Sequence, residues 1–362
     1  MTINPGITDL EEIVDSLPDK EKALFRRLYA VTTTIGKLRP PEKLKPWVKE
    51  KFGSLEAVTR QKIVKLTNKI TYEGVLFNEL RASRPHPPPN KEGIEARLEE
   101  ARRDDLFSSP QEGTPEDIFG RVEGKHCITA SNIAKNDGLH GVIIFNDFDP
   151  LIFSKEQVID YIDTGWEWAK RAQTKNPEAK YFLFFWNCLW RAGASIVHGH
   201  AQVMLTADMH YAKVEGLRCA ALGYKEAYGS NYFEDLFKVH HSLGCAVEKG
   251  GVRILTYLTP FKYNEVILMA KELNLALKKG IYEVLACFKD RLGVTSFNVG
   301  LVTPPLAPTQ ESWEGFPVMA RIVDRGDPES SFSEVGGAEI FAASIVPNDP
   351  FKLARELWEH LG

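Results

Sequence analysis

The sequence predicts an α+β fold in which two copies of one unit, each an antiparallel sheet with packed helices, follow a helical N-terminal extension. Three observations support this. The order strand, helix, strand, loop, strand occurs between about 139 and 205, and recurs more faintly between about 254 and 323. The first 80 residues lack that order and space their apolar residues by three and four. With 362 residues and 43% hydrophobic content, the chain exceeds what one core usually holds, so two units are expected.

Residues 1–80 form the extension. DLEEIVDSLPDKEKALFRRLYAV and SLEAVTRQKIVKLTNKITYEGVLF both read as helical; in the second, Leu55, Val58, Ile63, Leu66 and Ile70 recur with helical spacing, and Ser54 after Gly53 suits an N-cap. LRASRPHPPPN (80–90) is too rich in proline for helix or central strand and reads as extended chain. EGIEARLEEARRDD reads as a short solvated helix, and the chain from there to about residue 130 as loop. Residues 81–212 hold the first unit: a strand Leu139–Phe145, a helix over 156–173, a strand Lys180–Trp186, the loop NCLWRAGAS and a strand over IVHGHAQVML (196–205). Residues 213–362 hold the second: a strand Ile254–Leu258, the segment TPFKYNEVIL, a helix over ELNLALKKGIYEVLACFKDRL, a strand Ser296–Val302 and a strand Pro317–Val323. The last takes the place of the histidine-bearing strand without a histidine, so this half is expected to be structural or to recognise substrate.

Composition excludes several classes. A net charge of -4 and a pI near 6.2 give no bulk attraction to nucleic acid or anionic membrane. The five cysteines (Cys127, Cys188, Cys219, Cys245, Cys287) are widely spaced and form no CxxC pair, which argues against a disulfide framework and a cysteine zinc site. No basic-then-apolar leader follows Met1, and no run approaches the ~18 apolar residues of a membrane span, so a cytoplasmic location is expected.

The chemistry concentrates in ASIVHGHAQVML (194–205). Along a strand His198, His200 and Gln202 share one face, while Val197, Gly199, Ala201 and Val203 point the other way. One histidine in such a place is more often a satisfied core group. Three polar groups in register, each costing ~1–3 kcal/mol if unsatisfied, are better explained as a site. Two chemistries fit: metal ligation, which needs a third ligand better than glutamine, and a nucleophilic imidazole held through one nitrogen and bare at the other.

The surrounding residues resemble a known family. FWNCLWRAGASIVHGHAQ (185–202) is similar to the active-site segment of the galactose-1-phosphate uridylyltransferase branch of the histidine-triad superfamily, with Asn187, Gly193, Ser195, His198, His200 and Gln202 at the family's relative spacing. RASRP (81–85) resembles its Arg-x-x-Arg-Pro motif and FNDF (145–148) its Asn-Asp-Phe nucleotide motif, all in the family's order; VGGAEI (335–340) is a looser match. The resemblance implies a duplicated histidine-triad-like sheet. It also implies a nucleotidyltransferase that moves a nucleoside monophosphate between a nucleoside diphosphate sugar and a hexose 1-phosphate, through a nucleotidyl-histidine. His200 would be the nucleophile, Gln202 a hydrogen-bonding partner of the non-bridging oxygens, and His198 a group that orients strand and loop. Arg81 and Arg84 would clamp phosphates, Asn146 and Asp147 would hold ribose hydroxyls, and Asn187 and Ser195, with the amides near Gly193, would line the α-phosphate. Glu339 would accept sugar hydroxyls. Taken singly, these residues also read as surface arginines, a turn or cap, ordinary loop hydrogen bonding and a solvent-facing carboxylate.

Departures from the family pattern also matter. Its members often carry a structural zinc on a cysteine pair, another histidine and the first histidine of the motif. Here Asp104-Asp-Leu-Phe-Ser-Ser109 stands where the pair would be, and no histidine lies between His140 and His198, so no metal or other cofactor is expected. The iron site that some relatives carry in the second half also lacks its histidines, the strand reading VMARIV. The implied partners are a nucleotide sugar and a sugar phosphate, and the implied assembly is a homodimer whose arm at 81–89 reaches the neighbouring subunit. Two other readings stand beside this one: a phosphorylase passing the nucleotide of ADP-glucose or a dinucleoside polyphosphate to inorganic phosphate, and a non-catalytic nucleotide-binding protein.

Overall fold

Leucine and valine spaced by three and four fold the first residues into α1 (Leu10–Ser16) and α2 (Asp19–Leu28), which bury Leu10, Val14, Phe25 and Leu28. The computed structural model describes residues 5–82, 91–330 and 335–362. Beyond Leu28 the extension departs from the helical expectation. It continues as β1 (Tyr29–Lys37), α3 (Lys45–Phe52), α4 (Leu55–Thr59), β2 (Arg60–Asn68), β3 (Gly74–Asn78) and α5 (Glu79–Ala82). Ser54 does cap α4, accepting from the Ala57 N–H at 3.2 Å, but that helix ends after one turn. The β-branched run Val31-Thr-Thr-Thr-Ile35 stiffens β1 as a strand, and in β2 the buried residues are Val64, Leu66 and Asn68, a period of two that the apparent helical spacing concealed.

The chain then forms α6 (Lys91–Ala101), α7 (Pro110–Gly113), β4 (Cys127–Ser131), β5 (Leu139–Phe145), α8 (Lys155–Lys175), β6 (Tyr181–Asn187) and β7 (His200–Thr206). Two helices follow, α9 (Ala212–Tyr228) and α10 (Tyr232–Ser242), before β8 (Ala246–Lys249), β9 (Val252–Thr256), β10 (Glu265–Ala270), α11 (Leu275–Ala286), β11 (Phe297–Val302) and β12 (Val318–Asp324). A short β13 (Ser344–Val346) pairs in parallel with β3, and α12 (Pro350–Leu361) ends the chain. Strands β4 to β12 make one antiparallel sheet in the order β4-β5-β7-β6-β11-β12-β10-β9-β8.

Read outward from the β6–β11 pair, the two halves repeat. Ile143 lies opposite Ala201 and Phe184 opposite Val203 in the first half; Leu268 lies opposite Ala320 and Val299 opposite Ile322 in the second. Because α8 and α11 cover the face that carries these residues, the registers make Met319 the counterpart of His200, Arg321 of Gln202 and Glu265 of His140. The opposite face differs between halves. In the second it is buried under the N-terminal extension, with Phe25, Leu28, Leu66 and Val75 packed in one cluster with Tyr257, Ile267, Met269 and Met319.

Arg321 binds the extension to that face. Its Nε donates to the fully buried Glu265 carboxylate and its Nη1 donates to Glu73 Oε1 at 2.7 Å, while the Tyr257 hydroxyl donates to Glu73 Oε2 at 2.6 Å. Arg321→Met should therefore lower the unfolding free energy by about 3–5 kcal/mol, because Glu265 is left buried and unpaired, whereas adding Glu265→Leu should recover most of the loss. Urea denaturation of the three proteins measures both.

Candidate active site

Strand β7 starts at His200, later than the alternation of IVHGHAQVML predicts, because residues 194–199 wrap over the end of β5. The Gly199 N–H donates to the Phe148 carbonyl at 2.8 Å and the Phe145 N–H to the Gly199 carbonyl at 2.9 Å. There is no room for a side chain between the two histidines: a Cβ on Gly199 would lie 2.8 Å from the Phe145 ring and 2.9 Å from the Asp147 carbonyl oxygen. This crossing holds both imidazoles against Phe107, edge to face, with ring centroids 5.8 Å from His198 and 5.5 Å from His200.

Nδ1 of His200 lies 2.8 Å from the His198 carbonyl oxygen. A carbonyl only accepts, so Nδ1 carries the hydrogen and Nε2 keeps its lone pair. Nε2 makes no hydrogen bond among the described residues. Burial lowers the pKa of His200 below its ordinary value, against the opposing effect of the bond to the His198 carbonyl, and the nearby His198 ring lowers it further. The arrangement is a neutral imidazole of fixed tautomer with one nitrogen free for attack.

His198 is engaged at both nitrogens. Nε2 is 2.8 Å from the Phe145 carbonyl oxygen and Nδ1 is 2.7 Å from Asp105 Oδ2, with both side chains buried. Nε2 therefore donates its hydrogen to the carbonyl, and a second proton lies between ring and carboxylate. This donor set does not fit a tetrahedral zinc: neither nitrogen is free to ligate, and no three His, Cys, Asp or Glu side chains converge among the described residues. A cavity of about 400 Å³ opens beside the pair, lined by Arg102, Asp105, Ser108, Asn146, Phe148 and His198 among others, with Arg102 stacked over Phe148 at 4.2 Å.

Gln202 stands one step along β7. Its Oε1 accepts from His140 Nε2 at 2.8 Å and from Asn132 Nδ2 at 3.3 Å. Asn187, at the end of β6, accepts from Asn298 Nδ2 at 2.7 Å, and the same Asn298 amide donates to the Ala192 carbonyl at 2.9 Å, so the second half fixes the loop of the first. Gly193 turns that loop with φ +97°, a left-handed conformation that favours glycine, and Ser195 is exposed on it. Asn146 is exposed on the rim of the cavity, its Nδ2 3.4 Å from the Lys125 carbonyl oxygen. Asp147 accepts from Gln157, which also closes the capping box of α8 with Ser154, so its carboxylate serves the helix start.

The remaining expected residues lie apart from this group. Arg81 is exposed on α5, next to β3 of the extension, and Arg84 falls outside the described residues, as does most of the proline-rich arm. Glu339 is tied into its own loop: Oε1 accepts from Lys262 Nζ at 2.9 Å and from the Ile345 N–H at 3.1 Å, and Oε2 from the Gly336 N–H at 2.8 Å. Sequence reasoning missed Asn132, Phe107 and His140. His140 was within reach, since the alternation of Leu139–Phe145 puts it on one face with Val142 and Ile144, a polar group in an apolar strand.

No protein-family model matches the sequence, and no curated protein matches it. Solved structures do. An ADP-glucose phosphorylase from Arabidopsis thaliana with bound ADP-glucose superposes with a TM-score of 0.60 at 18% identity, over 80% of this chain and 96% of that one. The chain shares its fold with this phosphorylase and with a uridylyltransferase. A uridylyltransferase gives a TM-score of 0.55 at 15% identity over 83% of this chain and 98% of that one, and a galt-like protein from Arabidopsis thaliana gives 0.59 at 16% over 81% and 97%. This uridylyltransferase-like fold is α+β and duplicated, and among the described residues no helix is long and apolar enough to cross a membrane.

The close approach at Gly199 is testable. Gly199→Ala should destabilise the protein by about 1–3 kcal/mol through overpacking. Gly216→Ala, on α9 where nothing lies within 4 Å of the new methyl, should instead stabilise by up to about 1 kcal/mol. Thermal denaturation of both variants checks the pair of signs.

Proposed function

We propose that the chain is a nucleotidyltransferase that moves a nucleoside monophosphate from a nucleoside diphosphate sugar to a hexose 1-phosphate through a nucleotidyl-His200 intermediate. The observation that carries this reading is the His200 ring, its Nδ1 hydrogen held by the His198 carbonyl and its Nε2 bare. In the first step Nε2 forms a bond to the α-phosphorus as the bond to the sugar phosphate oxygen breaks, and the sugar 1-phosphate leaves with the electron pair. In the second, a phosphate oxygen of the acceptor attacks phosphorus, and the pair returns to Nε2. A sugar phosphate leaves without strong general-acid help, which suits a neutral Gln202 as a donor to the non-bridging oxygens. Asn187, Ser195 and the amides around Gly193 are assigned to the α-phosphate, Asn146 to the ribose, and Arg81 and Arg84 to the outer phosphates. His198 is assigned, with Asp105, to holding the loop, and the reaction to proceeding without metal. The active form is proposed to be a cytoplasmic homodimer.

A second reading, inorganic phosphate as the acceptor, is favoured by Glu339. The carboxylate expected to take sugar hydroxyls has both oxygens committed to Lys262 and backbone N–H groups. An ADP-glucose phosphorylase shares the fold, so ADP-glucose is a donor to test beside UDP-glucose.

Incubation with each α-labelled nucleotide sugar should trap label on the wild-type protein, and discharge by hexose 1-phosphate or by phosphate identifies the acceptor. His200→Ala should trap none, and exchange at the wild-type rate in that variant would refute the assignment. Because burial holds His200 below its ordinary pKa, the labelling rate should fall on acidification with a midpoint below that of an ordinary histidine, as the ring takes up a proton. Labelling should also survive exhaustive chelation; loss of activity on removal of a stoichiometric metal would overturn the metal-free assignment.

A further inference from the structure

His140 lies on β5, fully buried, on the same sheet face as His200 and Gln202, and nothing in the proposed reaction uses it. Its hydrogen bonds define its state. The Asn136 backbone N–H donates to Nδ1 at 3.0 Å, so Nδ1 is the bare nitrogen and Nε2 carries the hydrogen, which it donates to Gln202 Oε1 at 2.8 Å. Asn132 Nδ2 donates to the same oxygen at 3.3 Å; its separation of 3.3 Å from His140 Nε2 is a contact between two donors that share an acceptor. A Gln202 amide turned the other way would set its NH2 against both donors, so the network admits one orientation.

From this geometry we propose that His140 is a positioning residue: it holds the Gln202 amide with oxygen inward and NH2 toward the bare Nε2 of His200, where the NH2 donates to a non-bridging oxygen of the α-phosphate. Gln202 Nε2 makes no hydrogen bond among the described residues, and the donor is therefore available. Lys135 fixes the backbone behind His140, donating to its carbonyl at 2.9 Å and to Ser131 Oγ at 2.7 Å, while Ser131 and Trp168 both donate to Asp117. The second half uses the equivalent pair of sheet positions for a charged bond, Arg321 to Glu265, which marks this cross-strand diagonal as a place where one side chain sets the direction of another.

The inference rests on the nucleotidyl-transfer reading, and the test separates the two. With whichever α-labelled nucleotide sugar labels the wild-type protein, His140→Phe should slow nucleotidyl-His200 formation by about 10- to 100-fold, the range of a lost transition-state donor, with little change in nucleotide-sugar affinity. His140→Gln, whose amide can still donate to Gln202, should restore most of the rate. In a Gln202→Met background, where no amide is left to orient, His140→Phe should add less than about twofold. Full multiplicative loss in the double variant, or wild-type labelling by folded His140→Phe, would overturn the proposal. A readout that needs neither activity nor a His140 variant is the 15N spectrum of histidine-labelled wild type and Gln202→Met. One neutral histidine with a protonated Nε2 should shift between the two, and the absence of any such shift would also overturn it. Should no nucleotide sugar label the wild-type protein, the transfer reading fails, while the spectrum still decides whether His140 sets the Gln202 amide.

Discussion

The pairing of β6 with β11 is the constraint on which the rest of the molecule depends. By joining two equivalent half-sheets edge to edge, it makes one nine-stranded surface, and α8 and α11 then cover the same side of both halves. The second face of an antiparallel sheet can stay solvated or be covered, according to the residues it carries. In the second half the N-terminal extension covers it with an apolar layer and the Arg321, Glu265 and Glu73 ion pairs. In the first half the same surface carries His140, His200 and Gln202, with Phe107 packed beside them against Val142 and Ile144. One architecture thus carries a histidine-bearing face in one half and an apolar, structural face in the other, and the difference lies in what the extension packs against.

The histidine-bearing face is ordered by fixed hydrogen-bond direction more than by charge. His200, His198, His140 and Gln202 each have at least one side-chain atom held by a partner whose donor or acceptor role is unambiguous: the His198 carbonyl, the Phe145 carbonyl, the Asn136 N–H and the His140 Nε2–H. Tautomers and amide orientation follow from those partners. Burial keeps His140 and His200 neutral, so the tautomers persist where an exposed histidine would start to titrate. The buried Asp105 carboxylate completes the set by engaging His198, anchoring the loop between α6 and α7 to the start of β7.

Much of this could be read in the sequence because strand alternation is a short-range property. Leu139–Phe145, Ser296–Val302 and Pro317–Val323 fall within a residue of the observed strands, and the polar face of β7 is as the alternation implies from His200 onward. The extension misled because Leu55 and Val58 do lie on a helix, the single turn of α4, while the spacing of three and four through Ile63, Leu66 and Ile70 beyond it is coincidental, and only the β-branched residues around them argue for strands. Helices α9 and α10 were overlooked, although in α10 the buried Tyr232, Phe233, Leu236, Val239 and His240 recur at helical spacing. At the site, partners such as Asp105 for His198 and Asn298 for Asn187 are 93 and 111 residues apart, and no local pattern reports which side chains meet across such distances.

The Asn298 amide, shared between Asn187 and the Ala192 carbonyl, lies on the seam between the halves. Severing the chain there would do more than release a loop. A first half on its own would present β6 as an open edge, with the aromatic rings of Phe182, Phe184 and Trp186 on one side and a row of unpaired N–H and C=O groups along it. That is the kind of template on which sheets add further strands and aggregate. The second half therefore protects its sister: by occupying that edge, β11 leaves β6 no open row of N–H and C=O groups to recruit another strand.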